Sequence, residues 1–300
     1  SAVFAKLFYD AGYSVIIQGS HFQWEFVKSM PDNYAPGIPS QDAEYLRLVT
    51  SKIINQLEKK YNYKFQEKIL IGTSFGALTT LFVADKDTLN ITKYISICPP
   101  IELVYAMEQV DKGIDKWDRN TDNLKTTAAK TAAKVVQLVA QKKGDKNFNI
   151  NSLPFTEEEG LLITSFLMHQ KLSDLIFTIE QTKKNQKTDI YEKIYNMNYE
   201  DYVRKYVLGN NYKTLEDLRL DSSILSLSDY LQNNDNYKIY HSLNDYLVNH
   251  NQLKKLKLYT GKKTVILNNG AHLGFLYTNE FINELKKDIT IPKKIANSKN

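Results

Sequence analysis

Cysteine is almost missing from this chain: Cys98 is the only one among 300 residues. One cysteine excludes an intramolecular disulfide and a cysteine-rich metal site, and it does not identify a compartment. The five histidines lack the i, i+4 helical pairing with acids that is typical of many metal sites, so we predict no metal. A glycine-rich phosphate loop is missing too, and we therefore predict no cofactor.

Long apolar runs and a strong charge excess are also missing. No segment approaches 18 consecutive apolar residues, so we predict no transmembrane segment in this sequence. The net charge is only +5, and basic clusters such as Lys254-Lys255-Leu256-Lys257 lie in amphipathic helical patterns. We interpret these clusters as solvated helix faces and predict no nucleic-acid partner. No signal peptide is visible, but one removed upstream would leave no trace, so the localisation stays unknown.

The chain does have 42% apolar and 24% charged residues, a balance that supports a packed core. Its first hundred residues alternate between helical and strand patterns. This alternation predicts an α/β fold with a mostly parallel sheet and helices on both faces. The predicted helices are 2–9, 41–61 with Ser40 as N-cap, and 77–84; the predicted strands are 14–17, 68–71 and 94–98, with a long loop at 19–39.

The pattern changes after Pro100. The predicted helices are then 126–141, 156–182, 190–207, 251–258 and 279–287, and strands return at 237–240 and 263–267. We predict an α/β core formed by residues 1–100 and 232–290, a helical cap insertion at 101–231, and a polar tail at 291–300. Because a helix precedes the first predicted strand, we expect N-terminal strands before it, from a missing N-terminal segment or a companion chain.

The motif Gly72-Thr73-Ser74-Phe75-Gly76 lies between a predicted strand and a predicted helix. A serine in this position is typical of a nucleophile elbow, a sharp turn that lifts the hydroxyl above the carboxyl edge of the sheet. Such a strained turn favours small residues two positions before and after the serine, and Gly72 and Gly76 meet that requirement. The alternative is an ordinary tight turn that contains a buried serine.

A nucleophilic serine needs a base and an acid that orients the base, in the chain order Ser, Asp, His for this type of sheet. His272 follows the last predicted strand, and Asp245 follows the strand before it. Both therefore lie at the strand ends toward which Ser74 points, and we predict His272 as the base and Asp245 as the acid. The alternatives are a turn-capping role for His272 and, for Asp245, the N-cap of a helix that starts at Tyr246.

Together, Gly72-Thr73-Ser74-Phe75-Gly76, Asn244-Asp245-Tyr246 and Gly270-Ala271-His272-Leu273-Gly274-Phe275 resemble the α/β-hydrolase fold. The last stretch is similar to the Gly-Gly-His-Leu-Gly motif of a subgroup of carboxylesterase- and lipase-like serine hydrolases, with Ala271 in place of the second glycine. The resemblance covers roughly residues 2–100 and 235–288. The region between them matches only as the usual place for a cap.

The resemblance implies a serine esterase in which Ser74, His272 and Asp245 form a catalytic triad that works through an acyl-enzyme. It also implies an oxyanion hole with one N–H from Phe75 and a second from a loop expected before Ala2. The substrate would be a small-molecule ester or acyl compound. Side chains of the insertion would line an apolar tunnel for an acyl chain or belong to plain core: Phe166, Leu167, Leu175, Phe177, Tyr191 and Tyr195. Two other functions stay open, namely acyl transfer by the same triad and a non-catalytic, hydrolase-like binding protein.

Overall fold

The computed structural model describes residues 2–118, 155–183, 197–209 and 214–289, with positions 126, 129–134, 136–137, 194 and 212 between these ranges. Within this part of the chain, four strands form one parallel sheet in the order β1-β2-β3-β4. The strands are β1 (Ile69–Thr73), β2 (Lys93–Ile97), β3 (Tyr237–Ser242) and β4 (Thr264–Leu267). The predicted α/β fold with a mostly parallel sheet is confirmed.

Helices surround this sheet and fill the described part of the stretch between β2 and β3. They are α1 (Ala2–Asp10), α2 (Trp24–Lys28), α3 (Pro39–Tyr61), α4 (Phe75–Asp85), α5 (Leu103–Asp118), α6 (Glu157–Phe177), α7 (Tyr199–Tyr202), α8 (Leu215–Asp221), α9 (Ser228–Asn233), α10 (His250–Thr260) and α11 (Asn279–Asp288). Short 3₁₀ or π turns occupy Thr178–Lys183, Val203–Val207, Ile224–Leu227, Gly261–Lys263 and Gly274–Tyr277. None of these helices combines the length and apolar composition that a membrane-spanning segment needs.

The sheet is buried on both faces, as parallel sheets usually are. Successive side chains of a strand point to opposite faces. Tyr94 and Ile239 accordingly pack into a cluster with α3, α4 and α10, whereas Ile95 and Tyr240 pack into a second cluster with α1 and α11. The strand order advances in one direction, so right-handed crossovers place α4 and α10 on the same face. This leaves the carboxyl edge of the sheet free for loops.

Helix starts agree with the sequence signals in one case and differ in another. Thr156, the predicted start of helix 156–182, forms a capping box with Glu159: the Glu159 N–H donates to the Thr156 hydroxyl at 3.2 Å, and the Glu159 carboxylate accepts from the Thr156 N–H at 2.9 Å. The prediction of Ser40 as an N-cap is wrong, because α3 begins at Pro39 with Ile38 as its N-cap. Proline has no N–H and a fixed φ, so it suits the first helical position. The helix therefore starts at Pro39, two residues earlier than predicted.

The strand predicted at 14–17 is also wrong. This segment has no regular secondary structure and pairs with no strand in the part of the chain described, and its apolar side chains face solvent. Val15, Ile16 and Ile17 are 38%, 49% and 58% exposed. The physical reason is that an apolar run favours extended backbone locally, whereas a strand exists only where a neighbour accepts its hydrogen bonds.

The predicted insertion is described only in part. Positions 127–128, 135 and 138–141 of the predicted helix 126–141 lie outside the described residues, whereas its other positions are helical. The start of 190–207, the side chains of Tyr191 and Tyr195, and the tail 291–300 also lie outside. Of the proposed tunnel residues, Leu175 is fully buried, whereas Phe166 and Leu167 on the same helix are each 55% exposed. These positions therefore divide between core and surface, and they do not form one common lining.

Candidate active site

Ser74 occupies the turn that joins β1 to α4. Its N–H donates to the Ile97 carbonyl at 2.9 Å, which extends the β1–β2 ladder by one residue, and α4 starts at the next position. Its φ of 54° and ψ of −126° lie in a region that costs a non-glycine residue about 1–3 kcal/mol. The hydroxyl does not cap the helix that follows. A strained serine that leaves its own helix uncapped fits an elbow better than an ordinary turn.

The two glycines of the motif have different environments. A Cβ at Gly72 would lie 2.1 Å from the Gly76 carbonyl oxygen and 2.4 Å from the Thr80 hydroxyl, so only glycine fits there. A Cβ at Gly76 would meet no atom within 4 Å. The expectation that both positions must be small is therefore right for Gly72 and wrong for Gly76, because the first turn of α4 points that position into open space.

His272 connects Ser74 to Asp245. Its Nε2 lies 2.9 Å from the Ser74 Oγ, and its Nδ1 lies 2.9 Å from the Asp245 Oδ2. A carboxylate accepts from Nδ1–H, which leaves the Nε2 lone pair to accept the serine hydroxyl proton. The side chains of His272 and Asp245 are 3% and 1% exposed. The three residues that sequence reasoning selected thus form one continuous chain of hydrogen bonds.

Asp245 keeps its negative charge in spite of its burial. Burial by itself raises the pKa of this carboxyl, but the charge of His272 and their hydrogen bond outweigh it, so that the pKa lies below the ordinary value. The Leu247 N–H donates to the second oxygen, Oδ1, at 2.9 Å. The alternative role of Asp245 as the N-cap of a helix at Tyr246 is wrong, because α10 starts at His250 with Asn249 as its cap.

Among the described residues, one group of three side chains has metal-ligand chemistry: Cys98, His241 and Asp245, whose ligand atoms all lie within 4.8 Å of one another. Each atom already has a protein partner. His241 donates from Nε2 to the Pro99 carbonyl at 3.1 Å, and its Nδ1 accepts the Ser242 N–H at 3.0 Å. Burial raises the pKa of the Cys98 thiol, and so do the charge of Asp245 and a hydrogen bond to it. Burial also lowers the pKa of His241, so a neutral imidazole lies beside Asp245, with its Nδ1 3.8 Å from the Asp245 Oδ2.

Two side chains that sequence reasoning missed hold the loop of the histidine. The Ser242 hydroxyl donates to the Ala271 carbonyl at 2.5 Å, and the Asn244 Oδ1 accepts the Ala271 N–H at 2.9 Å. The sequence signal was their position at the end of β3, one and three residues before Asp245. Which loop they would contact could not be read from that position.

Tyr246 links the same turn to the stretch between β2 and β3. Its hydroxyl donates to the Gly160 carbonyl at 2.8 Å and is also hydrogen-bonded to the Thr164 hydroxyl, so it joins two positions of α6. Its ring centroid lies 6.5 Å from that of His272. Helix α6 is therefore attached directly beside the acid and the base.

Phe75 follows the serine and has its side chain in the core. Its ring packs edge-on against Phe22 and His21, with centroids 4.7 Å and 5.7 Å away. Its backbone N–H is the first of α4, and the first N–H groups of a helix have no partner within the helix. The partial positive charge of the helix N-terminus thus lies next to the Ser74 hydroxyl.

Comparisons with known proteins identify no family for this chain. No protein-family model matches the chain, and no curated protein sequence matches it. Among solved structures, an esterase from Pyrococcus furiosus is similar, with 10% sequence identity and a TM-score of 0.37 over 84% of this chain. The chain spans 61% of the length of that esterase. A likeness this distant carries no argument, and the α/β fold class rests on the strands and helices of this chain alone.

Proposed function

We propose that this chain is a serine hydrolase of the α/β-hydrolase type that cleaves a carboxylic ester. The observation that carries the proposal is the unbroken hydrogen-bond chain from the Ser74 hydroxyl through His272 to the buried carboxylate of Asp245. A buried charge is costly unless it is paired. A nucleophile, a base and an orienting acid in this connection are the requirements for activating a serine.

In the first half of the reaction, the Ser74 Oγ attacks the ester carbonyl carbon while His272 Nε2 takes the hydroxyl proton. Asp245 keeps the proton on Nδ1 and stabilises the imidazolium that forms. The backbone N–H of Phe75, at the N-terminus of α4, stabilises the negative charge on the carbonyl oxygen. His272 then passes its proton to the leaving alkoxide, which departs as an alcohol and leaves an acyl-serine.

In the second half, water gives a proton to His272 and attacks the acyl-serine, and the acid is released as Ser74 regains its proton. The same residues would perform acyl transfer if an alcohol replaced that water. Adding an acceptor alcohol and analysing the products separates the two reactions, since hydrolysis yields a free acid and transfer yields a new ester.

We further propose that residues 101–231 form a cap over a core made of residues 1–100 and 232–290. Support comes from Tyr246, whose hydroxyl bonds to Gly160 and Thr164 of α6 beside the proposed base. A cap in this position would exclude water and shape the space for the acyl group. The substrate class that fits is a small-molecule ester or acyl compound.

The test is labelling of the purified protein with a fluorophosphonate probe, followed by mass mapping of the modified residue. We expect modification at Ser74, loss of labelling in Ser74→Ala, and normal labelling in Ser226→Ala, which removes an exposed serine hydroxyl elsewhere. Asp245→Asn should lower kcat on a p-nitrophenyl ester by about 10⁴-fold, because the histidine loses its tautomer control.

If the full-length wild-type protein leaves Ser74 unlabelled, the enzyme hypothesis has to be abandoned. A non-catalytic binding protein with a hydrolase-like site would then be the remaining hypothesis. If Ser226→Ala lost labelling as completely as Ser74→Ala, the mapping itself would be wrong and the assignment of the nucleophile would fail.

A further inference from the structure

We infer that Asn244, with Ser242, is a positioning residue that holds the His272 loop in register with Ser74. This inference rests on the proposed function, because it concerns the geometry of the proposed base. The two side chains hold the Ala271 peptide units from opposite sides: Asn244 accepts the Ala271 N–H at 2.9 Å, and Ser242 donates to the Ala271 carbonyl at 2.5 Å.

The loop needs such a restraint because its backbone is strained on both sides of His272. Ala271 has a φ of 45° and Leu273 a φ of 67°, although neither residue is glycine. Gly270, with a φ of 136°, precedes them, and a Cβ there would lie 2.7 Å from that of Phe275. Non-glycine residues in this region are strained and persist only where their surroundings impose that conformation. The hydrogen bonds from Ser242 and Asn244 to Ala271 supply this restraint.

The restraint and the acid come from one short stretch of chain. Ser242, Asn244 and Asp245 follow one another at the end of β3, and all three contact the loop at the end of β4. The Leu243 N–H also donates to the Leu267 carbonyl at 2.8 Å, which extends the β3–β4 ladder into this turn. The acid and the histidine loop are therefore fixed to each other by backbone and side-chain bonds together.

Loss of the Asn244 oxygen should release the Gly270–Ala271 peptide and let the His272 imidazole move. A misplacement of about 1 Å between reacting groups can lower a rate by about 100-fold. Because Asn244 touches neither Ser74 nor the proposed oxyanion donor, the effect should fall on kcat while KM stays unchanged.

The experiment compares three variants of the full chain. Asn244→Leu keeps the approximate shape and removes the acceptor, whereas Asn244→Asp keeps an oxygen in the same position. Asn249→Leu is the matched control, because Asn249 also accepts a backbone N–H, that of Asn251 at 2.8 Å, but it does so at the start of α10. The readouts are kcat and KM for ester hydrolysis, the fluorophosphonate labelling rate, and the NMR signal of the hydrogen-bonded His272 Nδ1 proton, identified by its loss in His272→Gln.

We expect Asn244→Leu to lower kcat and the labelling rate by about 100-fold and to lose the Nδ1 proton signal. Asn244→Asp should restore most of each, and Asn249→Leu should resemble wild type. The inference fails if Asn244→Leu labels at the wild-type rate with its proton signal intact, or if Asn244→Asp is equally impaired. If wild type does not label Ser74, the proposed function fails, and the proton signal alone decides the positioning role.

Discussion

The two glycines of the serine motif should respond in opposite ways to the same substitution. At Gly72, a Cβ would lie 2.1 Å from the Gly76 carbonyl oxygen, whereas at Gly76 it would meet nothing within 4 Å. We therefore predict that Gly72→Ala destabilises the protein and that Gly76→Ala does not. The sequence motif treats both positions as equivalent, so the pair tests the structure directly.

The magnitude follows from the distances. Side-chain Cβ atoms essentially never come closer than 3.0 Å to another heavy atom, so the methyl group added by Gly72→Ala must displace its neighbour by at least about 0.9 Å. That neighbour is backbone of the first turn of α4 and cannot rotate away. Overpacking of this kind typically costs about 1–3 kcal/mol. At Gly76, alanine in a helix is expected to gain about 0.5–1 kcal/mol relative to glycine.

Urea unfolding, with the slope held common, measures both changes in the free energy of unfolding. The fluorophosphonate labelling rate measures the effect on the nucleophile. Gly72→Ala should also lower that rate by about 100-fold, because Ser74 lies between Gly72 and the Gly76 backbone that the new methyl group displaces. Gly76→Ala is interpreted through stability alone, since a methyl in open space near the serine can also obstruct a ligand.

Equal destabilisation by the two substitutions would show that other atoms pack against Gly76, which would contradict the open space beside it in the structure. A wild-type unfolding midpoint for Gly72→Ala would refute the close approach of β1 and α4. The second result would also remove the close packing of β1 against α4 that supports a tight elbow at Ser74.

Three further predictions concern stability, and urea unfolding checks each of them. Burial raises the pKa of Asp42 from 3.8 to about 7, so stability is fully present below the ordinary value and falls by about 4 kcal/mol as the pH rises to about 7. Asp42→Asn should flatten the curve in that window, and an unchanged slope would contradict the burial. His241→Phe removes the donor to the Pro99 carbonyl and should cost about 2 kcal/mol. Thr156→Ala removes a helix cap and should lower the free energy of unfolding by about 1 kcal/mol. No change would contradict the capping box.

The sequence predicted the fold class and the close approach of three side chains for the same reason. Parallel strands all have their carboxyl ends at one edge of their sheet, so residues that follow different strands can meet there. Ser74, Asp245 and His272 each follow a strand, and that order sufficed to select them. The role of each residue in a reaction stays a proposal until Ser74 is labelled.

The features that the sequence did not predict depend on partners distant along the chain. The apolar run 14–17 has the local composition of a strand, but no neighbour in the described part of the chain pairs with it. Gly76 matches a motif, but its freedom depends on what packs opposite the helix. The contact between Asn244 and Ala271 depends on two loops whose approach is set by the sheet. In each case the local sequence indicates a backbone conformation, whereas the contacts of the segment depend on tertiary packing.

The geometry of the site follows from the pairing of β3 with β4. Ser242 lies opposite Leu267 in this register, and the bond from the Leu243 N–H to Leu267 continues it beyond the strand ends. A slip of one residue would turn every side chain of β3 to the opposite face and separate Asp245 from His272. The acid and the base are thus held together by the same register that buries the core. Substitutions that loosen the end of this ladder should therefore reduce the reactivity of Ser74 before they unfold the sheet.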